Sequence, residues 1–343
     1  MISRFFTHLF PVTFNRDTLS FRKTGYLGII SAALFILLML TGVLLMFYYS
    51  PEASAAYGSV LFLEEKISGG EFIRSLHRMC SHMLLVVMAL HLLRTVFCGV
   101  YAARASNWKL GYILFGLIVF EAYTGCLMPM DQLSFWATRT GMELMNTLPG
   151  GALLKTLLMP DDVGGRLTLL RFYALHIVFI PVLTLILLSA HLYNIRRDGG
   201  LLPMAEPEKV KDRDRLVRFS LLISAVTVAA AVVLSLIFKS PLELPADPAS
   251  PPNPAKSAWF LLWIQEVVSW RASLFNAAAV LFVLCYFLPD YGRRFVYERA
   301  VWFPHEGRRV WIFMLALTVL IVVLTVIAMF FRGANWELVP FCF

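Results

Sequence analysis

Five runs of this chain, residues 27–49, 172–195, 219–238, 272–289 and 310–331, contain no Asp, Glu, Lys or Arg. Each is about as long as a helix must be to cross a hydrocarbon core of roughly 30 Å. A segment in lipid finds no water to satisfy its backbone, so spanning runs of this length must be helical. Two less clean segments join them: 74–94, which carries three histidines, and 110–130, interrupted only by Glu121. The expectation is an all-α integral membrane protein with seven transmembrane helices. Composition agrees, since 59% hydrophobic and 15% charged residues over 343 positions exclude an ordinary soluble domain.

The first run is longer than the apolar stretch of a secretory signal and lacks a small-residue cleavage site, so it reads as the first permanent span. With seven spans, the N-terminus and the even-numbered connections share one face, and most of the basic residues lie there, Arg196, Arg197, Arg213, Arg215 and Arg218 among them. By the positive-inside rule that face is cytoplasmic, with the N-terminus inside and the C-terminus outside. The net charge of +8 therefore reads as membrane orientation and not as nucleic-acid binding. The five cysteines, Cys80, Cys98, Cys126, Cys285 and Cys342, form no CxxC or CxxCH unit, which leaves covalent haem, zinc and a disulfide framework unsupported. A charged, Pro- and Gly-containing connection at 194–218 divides four spans from three and gives two predicted domains, 1–200 and 201–343. The 129–166 loop has amphipathic spacing for short surface helices, and the Pro-rich 239–259 loop reads as extended.

Histidines inside spans need a reason, because polar side chains there are expensive. His77 and His91 are 14 residues apart in the second span, which returns them to within about 40° of one face at roughly 21 Å separation. His176 and His191, 15 apart in the fourth span, lie about 60° apart around the helix at nearly the same axial distance. Both spans run from outside to inside, so His77 is level with His176 and His91 with His191. Each level offers two imidazoles in trans and no evident third ligand, which suits a bis-histidine haem better than zinc. Histidines that merely hydrogen-bond helices together are the alternative.

Glycines repeat the same interval: Gly28 and Gly42 in the first span, Gly111 and Gly125 in the third. A flat macrocycle against a helix needs a missing side chain, and Gly42 and Gly125 fall at the outer level, Gly28 and Gly111 at the inner. Arg74, Arg78 and Arg171 flank the outer histidines and Arg94 follows the inner one; an arginine fork matches a haem propionate, with interfacial snorkelling as the competing role. His82, with no partner at its depth, reads as a packing or hydrogen-bonding residue, and His8 and His305 as surface groups.

The segments "FIRSLHRMCSHMLLVVMALHLLRTVF", "GCLMPMDQLSFWA" and "LLRFYALHIVFIPVLTLILLSAHLYNIRRDG" resemble cytochrome b of the quinol:cytochrome c/plastocyanin oxidoreductases. The 15-residue histidine interval and "FYYSP" after the first span look more like the cytochrome b6 branch. The resemblance covers about 20–200 with specific motifs and is weaker from 215 onward, where it matches the three-helix part that is a separate subunit in b6f complexes. It implies a four-helix dihaem bundle with three further helices. It also implies two non-covalent b haems, on His77 with His176 and on His91 with His191, and a quinol oxidised near the outer face. One electron would go to an external acceptor and the other across the membrane to an inner quinone site. Implied partners are a Rieske iron-sulfur protein and/or a c-type cytochrome, in a dimeric complex of a respiratory or photosynthetic chain, with the bacterial cytoplasmic membrane as the setting.

Two departures bear on that picture. Tyr26 stands where the b6 branch has the cysteine of an extra haem, so no covalent haem is expected. "SAWF", residues 257–260, stands where the quinol site has "PEWY", and Ala258 thus replaces its carboxylate. A quinol sheds protons on oxidation, so an acceptor within hydrogen-bond reach is needed. Glu266 and Glu121 are the candidates, and Asp131 at the outer mouth is either a quinol contact or a loop cap. Asp214 is a weaker candidate on the inner side. Three functions stay open: a quinol-oxidising, bifurcating cytochrome b with two quinone sites, a dihaem conduit without bifurcation, and a haem-free transporter or scaffold.

Overall fold

The structure, a computed structural model, describes residues 13–197, 209–292 and 301–340. His8, Cys342 and residues 198–208 of the predicted linker lie outside them. The chain folds into helices α1 (Leu27–Met46), α2 (Ala53–Lys66), α3 (Gly70–Phe97), α4 (Ala105–Cys126), α5 (Gln132–Asn146) and α6 (Gly151–Leu158). It continues with α7 (Arg166–Arg197) and α8 (Arg213–Ile237), and then α9 (Leu262–Trp270), α10 (Leu274–Tyr286), α11 (Leu288–Gly292) and α12 (Arg308–Phe330).

Six of these, α1, α3, α4, α7, α8 and α12, are long and apolar enough to cross a bilayer. The chain is an integral membrane protein. The predicted sixth run is different: α10 has 13 residues, about 20 Å of helix. It stops at Phe287 and α11 carries the chain on for five residues. The outward faces of the long helices are apolar, as with Ile36 and Leu40 on α1, Val182 and Ile186 on α7, and Leu221 and Leu236 on α8. Lipid, which does not penalise exposed Leu and Ile, is the solvent these faces fit.

The long helices pair by close contact: α1 along α3, α4 along α7, with α8 laid over α1 and α3. The middle of the bundle is closed by Leu34, Cys80, Leu84, Ile118 and Ala231. One end is closed by Val96, Tyr101, Trp108, Tyr112, Cys285 and Val310, where α10 and α12 meet α3 and α4. Helix α2, absent from the sequence expectation, buries Ala56, Val60 and Leu63, which share one face at i, i+4, i+7. Gly70 is required where α2 packs on the start of α3, because a Cβ there would run into the carbonyl of Leu63.

The amphipathic 129–166 loop does form surface helices, α5 and α6, and α5 turns Phe135, Thr138 and Met142 inward. Asp131 starts α5 through a capping box: its Oδ1 accepts from the Ser134 backbone N–H at 2.9 Å, while the Ser134 hydroxyl accepts from the Asp131 N–H at 2.8 Å. Its other oxygen accepts from the Glu243 N–H at 3.2 Å. Beside it, Gln132 N–H donates to the Leu244 carbonyl at 2.9 Å and Ala246 N–H to that of Met130 at 3.2 Å. The chain after α8 is thereby bound to the end of α4. Across the molecule, Phe14–Asn15 pairs antiparallel with Lys209–Val210.

Asp131→Ala removes the cap and the tether together, and is expected to cost about 1–2 kcal/mol, read as a lowered thermal midpoint in detergent. Asp131→Asn keeps a capping oxygen and should retain most of that midpoint; equal midpoints for wild type and Asp131→Ala would contradict the assignment.

Candidate functional site: two tiers of histidines

The histidines of α3 and α7 face one another. At the outer tier the His77 and His176 rings have centroids 6.3 Å apart with planes at 76°. Two metal–nitrogen bonds of roughly 2 Å, plus the distance from each ligating nitrogen to its ring centre, make up such a separation. At the inner tier His91 lies against Gly28 of α1 and His191 against Gly111 of α4. Among the described residues no group of three or more His, Cys, Asp or Glu side chains is placed to hold a metal ion.

The unequal intervals of 14 and 15 have a local cause. Residues Leu175–Phe179 of α7 form a π turn, which contains one residue more than an α turn and carries His176. Pro181, with no N–H to offer the Ile177 carbonyl four residues earlier, explains why the α ladder opens there. With one residue absorbed, 15 positions in α7 advance as 14 do in α3. The 60° offset read from ideal helix geometry is thus corrected.

Each of the four glycines lies against a histidine of the neighbouring helix. A Cβ on Gly42 would sit 3.4 Å from His77 Cε1, and one on Gly28 would sit 3.7 Å from His91 Cε1. On the other pair, a Cβ on Gly125 would sit 2.8 Å from His176 Cε1 and one on Gly111 3.2 Å from His191 Cε1. The missing side chains therefore admit the imidazole edges themselves. Sequence reasoning passed over the residue before each outer glycine: Thr41 Oγ1 is 2.8 Å from His77 Nδ1, and Thr124 Oγ1 is 3.1 Å from His176 Nδ1. The Thr-Gly pair repeated in α1 and α4 was the available signal. At the inner tier Leu27 and Leu110 occupy those positions, and Nδ1 of His91 and of His191 is buried without a hydrogen-bond partner.

Arg74 pairs with Glu64 and donates to the carbonyls of Ser240, at 3.1 Å, and Pro241, at 2.8 Å. Arg171 donates to the Leu157 carbonyl. Arg78 Nε is 3.1 Å from His82 Nε2, and Trp259 Nε1 is 2.5 Å from His82 Nδ1. Both neighbours are donors and a neutral ring accepts at one nitrogen, so His82 is a hydrogen-bonding residue that joins "SAWF" to α3. Arg94 is buried, and with Arg22 it borders a cavity of about 270 Å³ whose apolar wall includes Phe21, Leu90, Phe97 and Trp302.

The three carboxylates separate. Glu121 Oε1 lies 3.2 Å from His176 Nδ1. Asp131 is the cap described above, which accounts for both its oxygens. Glu266 is fully buried and held by Arg332 through Nη2 at 2.5 Å and Nε at 3.0 Å, with the indole N–H groups of Trp270 and Trp336 each at 3.1 Å. Burial alone would raise its carboxyl, but the Arg332 fork and the two indoles hold it below the ordinary carboxylate range. Asp131 thus takes the loop-capping role of the two expected for it, and both oxygens of Glu266 are hydrogen-bonded within the protein.

The family model described as "Cytochrome b(N-terminal)/b6/petB" matches residues 82–247. The chain is 38% identical over 180 residues to cytochrome b6 of Heliobacterium modesticaldum, covering 52% of this chain and 84% of that protein. It is 36% identical over 164 residues to the menaquinol:cytochrome c reductase cytochrome b subunit of Geobacillus thermodenitrificans, covering 47% and 73% respectively. The chain belongs to the cytochrome b/b6 family. Likeness to the cytochrome b subunit of a Chlorobaculum thiosulfatiphilum bc complex, 30% over 249 residues, takes in 70% of this cytochrome b and 58% of that protein, so it extends into the C-terminal part. The fold matches a chain of a structure titled "Hyperthermophilic respiratory Complex III" with a TM-score of 0.73 at 22% identity, over 89% of this cytochrome b and 83% of that chain.

Arg332→Ala leaves the Glu266 charge buried without its counter-charge and is expected to destabilise this cytochrome b by about 3–5 kcal/mol in thermal or denaturant unfolding. A carboxyl depressed on folding stabilises fully above its unfolded pKa, and that contribution is lost as pH falls toward the folded value. The wild-type midpoint should therefore fall on acidification through and below the ordinary carboxylate range, and Glu266→Gln should remove that component. Identical pH profiles for the two would contradict the lock.

Proposed function

We propose that this chain is the dihaem cytochrome b subunit of a quinol-oxidising respiratory complex, carrying electrons between a quinol site near its outer face and a quinone site near its inner face. The observation that carries the reading is the outer tier, with two imidazoles 6.3 Å apart and a glycine against the edge of each. The donor set fits b haem: two nitrogens per tier, no thiolate, and Tyr26 in place of an attaching cysteine. His77 with His176, and His91 with His191, would hold the two haems, and Gly28, Gly42, Gly111 and Gly125 let the rings take up position. Arg74, Arg78, Arg94 and Arg171 are the candidate propionate partners; Arg74, paired with Glu64, Arg78, beside His82, and Arg171, bonded to the Leu157 carbonyl, would serve by exchanging or sharing those partners. Haem at these places supplies one-electron transfer at two depths of the membrane.

Around it, the protein fixes ligands and shields the path. Thr41 and Thr124 orient the outer rings, and α8 closes the bundle beside α1 and α3. The cavity bordered by Arg22 and Arg94, close to the 300 Å³ at which small-molecule sites begin, is where an inner quinone would bind. In this reading α10 and α11 together make a seventh crossing, residues 1–200 are the dihaem domain and 201–343 the smaller one. The N-terminus lies inside a bacterial cytoplasmic membrane and the C-terminus outside. A Rieske protein and/or a c-type cytochrome accepts electrons outside, and the complex is a dimer.

A second reading has an observation of its own. Ala258 replaces the motif carboxylate, and Glu266 is locked by Arg332, which suits a dihaem conduit that does not bifurcate electrons. The two part when the inner site is blocked: bifurcation gives oxidant-driven reduction of haem, and a conduit gives none.

Pyridine haemochrome analysis of the purified protein should give two b haems per chain, with His77→Leu or His176→Leu losing one and His91→Leu or His191→Leu the other. Absence of porphyrin from the wild type would end the proposal. Alanine at the four glycines should impair haem retention in the order of crowding, Gly125 most, then Gly111, Gly42 and Gly28; equal tolerance at all four would contradict the geometry.

A further inference from the structure

The two sides of the outer tier are built alike except at one position. On α1, Thr41 meets His77 Nδ1 and Gly42 meets the ring edge; on α4, Thr124 meets His176 Nδ1 and Gly125 meets the ring edge. Both threonines donate back to their own helix, Thr41 Oγ1 to the Leu37 carbonyl at 2.9 Å and Thr124 Oγ1 to the Glu121 carbonyl at 2.9 Å. Three residues before the threonine the match fails: α1 has Leu38 and α4 has Glu121. The Glu121 Oε1 is 3.2 Å from His176 Nδ1, and its Oε2 is buried without a hydrogen-bond partner. A carboxyl group with an unsatisfied oxygen in the apolar middle of a spanning helix is costly, and helix packing alone does not call for it, since Leu38 fills the equivalent place.

Resting on the dihaem reading, we infer that Glu121 is a positioning residue for His176 that makes the outer redox centre harder to reduce than it would otherwise be. When His176 binds iron through Nε2, its Nδ1 carries the proton and donates it toward oxygen. A carboxyl oxygen in that place fixes the ring and strengthens imidazole donation to the metal, which favours the oxidised state. His77 has a hydroxyl as its side-chain acceptor, and Nδ1 of neither inner histidine meets a side-chain oxygen. The outer tier is thus supplied with three side-chain oxygens and the inner with none. This difference biases an electron at the outer centre toward the inner one, and Glu121 is its one-sided component.

The test is a potentiometric titration of both haems in the purified complex, with electron paramagnetic resonance of the oxidised centres, for wild type, Glu121→Leu and Glu121→Gln. Glu121→Leu should raise the outer haem's reduction equilibrium about tenfold, which is about 59 mV for a one-electron couple, and alter the outer resonance signal. The inner haem should stay where it was. Glu121→Gln retains an amide oxygen as acceptor and should fall between the other two; where the leucine variant does not retain its outer haem, the glutamine variant decides on the same scale. Two haems per chain with an unmoved outer midpoint, or a shift shared equally by both haems, would overturn the role of Glu121 and leave the dihaem reading standing. A wild-type protein without haem would overturn both.

Discussion

The approach of α1 to α3 and of α4 to α7 at four glycine–imidazole contacts is the constraint from which the rest of the bundle follows. On α4 an imidazole can face inward only where that helix has no side chain, since a single Cβ would stand 2.8 Å from the ring at Gly125 and 3.2 Å at Gly111, while on α1 the glycines leave room in ordinary contact. Once those contacts set the spacing, the gap between His77 and His176 is set with them. The π turn in α7 belongs to the same constraint, because without its extra residue His176 and His191 would not share a register with His77 and His91.

Features that obey a simple period were readable in the chain. Apolar runs about 20 residues long, the 14-residue repeat of histidine and glycine, and the direction of α3 and α7 together gave the two tiers and their glycine partners. Features that depend on a break in the period were not. An ideal helix puts His176 and His191 about 60° apart, and only the opening at Pro181 brings them into line. The 272–289 run has the composition of a span, but composition does not reveal that the helix ends at Tyr286. Hydrogen-bonding partners far away in the chain were equally hidden: Glu266 reads as an isolated membrane carboxylate until Arg332 is seen beside it, and Asp131 gives no sequence hint of Glu243.

These distant partners explain how four spans and the remainder hold together as one body. Asp131 and its neighbours bind the chain after α8 to the end of α4, Arg74 reaches the carbonyls of Ser240 and Pro241, and Trp259 contacts His82 on α3. Glu266 with Arg332 then joins α9 to the end of α12. Carboxylates and histidines that could serve chemistry near the "SAWF" segment are instead used to secure it.

A density map of the purified protein, sharp enough to resolve planar groups, tests the central claim most directly. The account predicts two macrocycles, one between His77 and His176 and one between His91 and His191, each with glycines of α1 and α4 against the ligating rings. Histidine rings packed on one another with no macrocycle in either tier, or porphyrin density held by other residues, would contradict it.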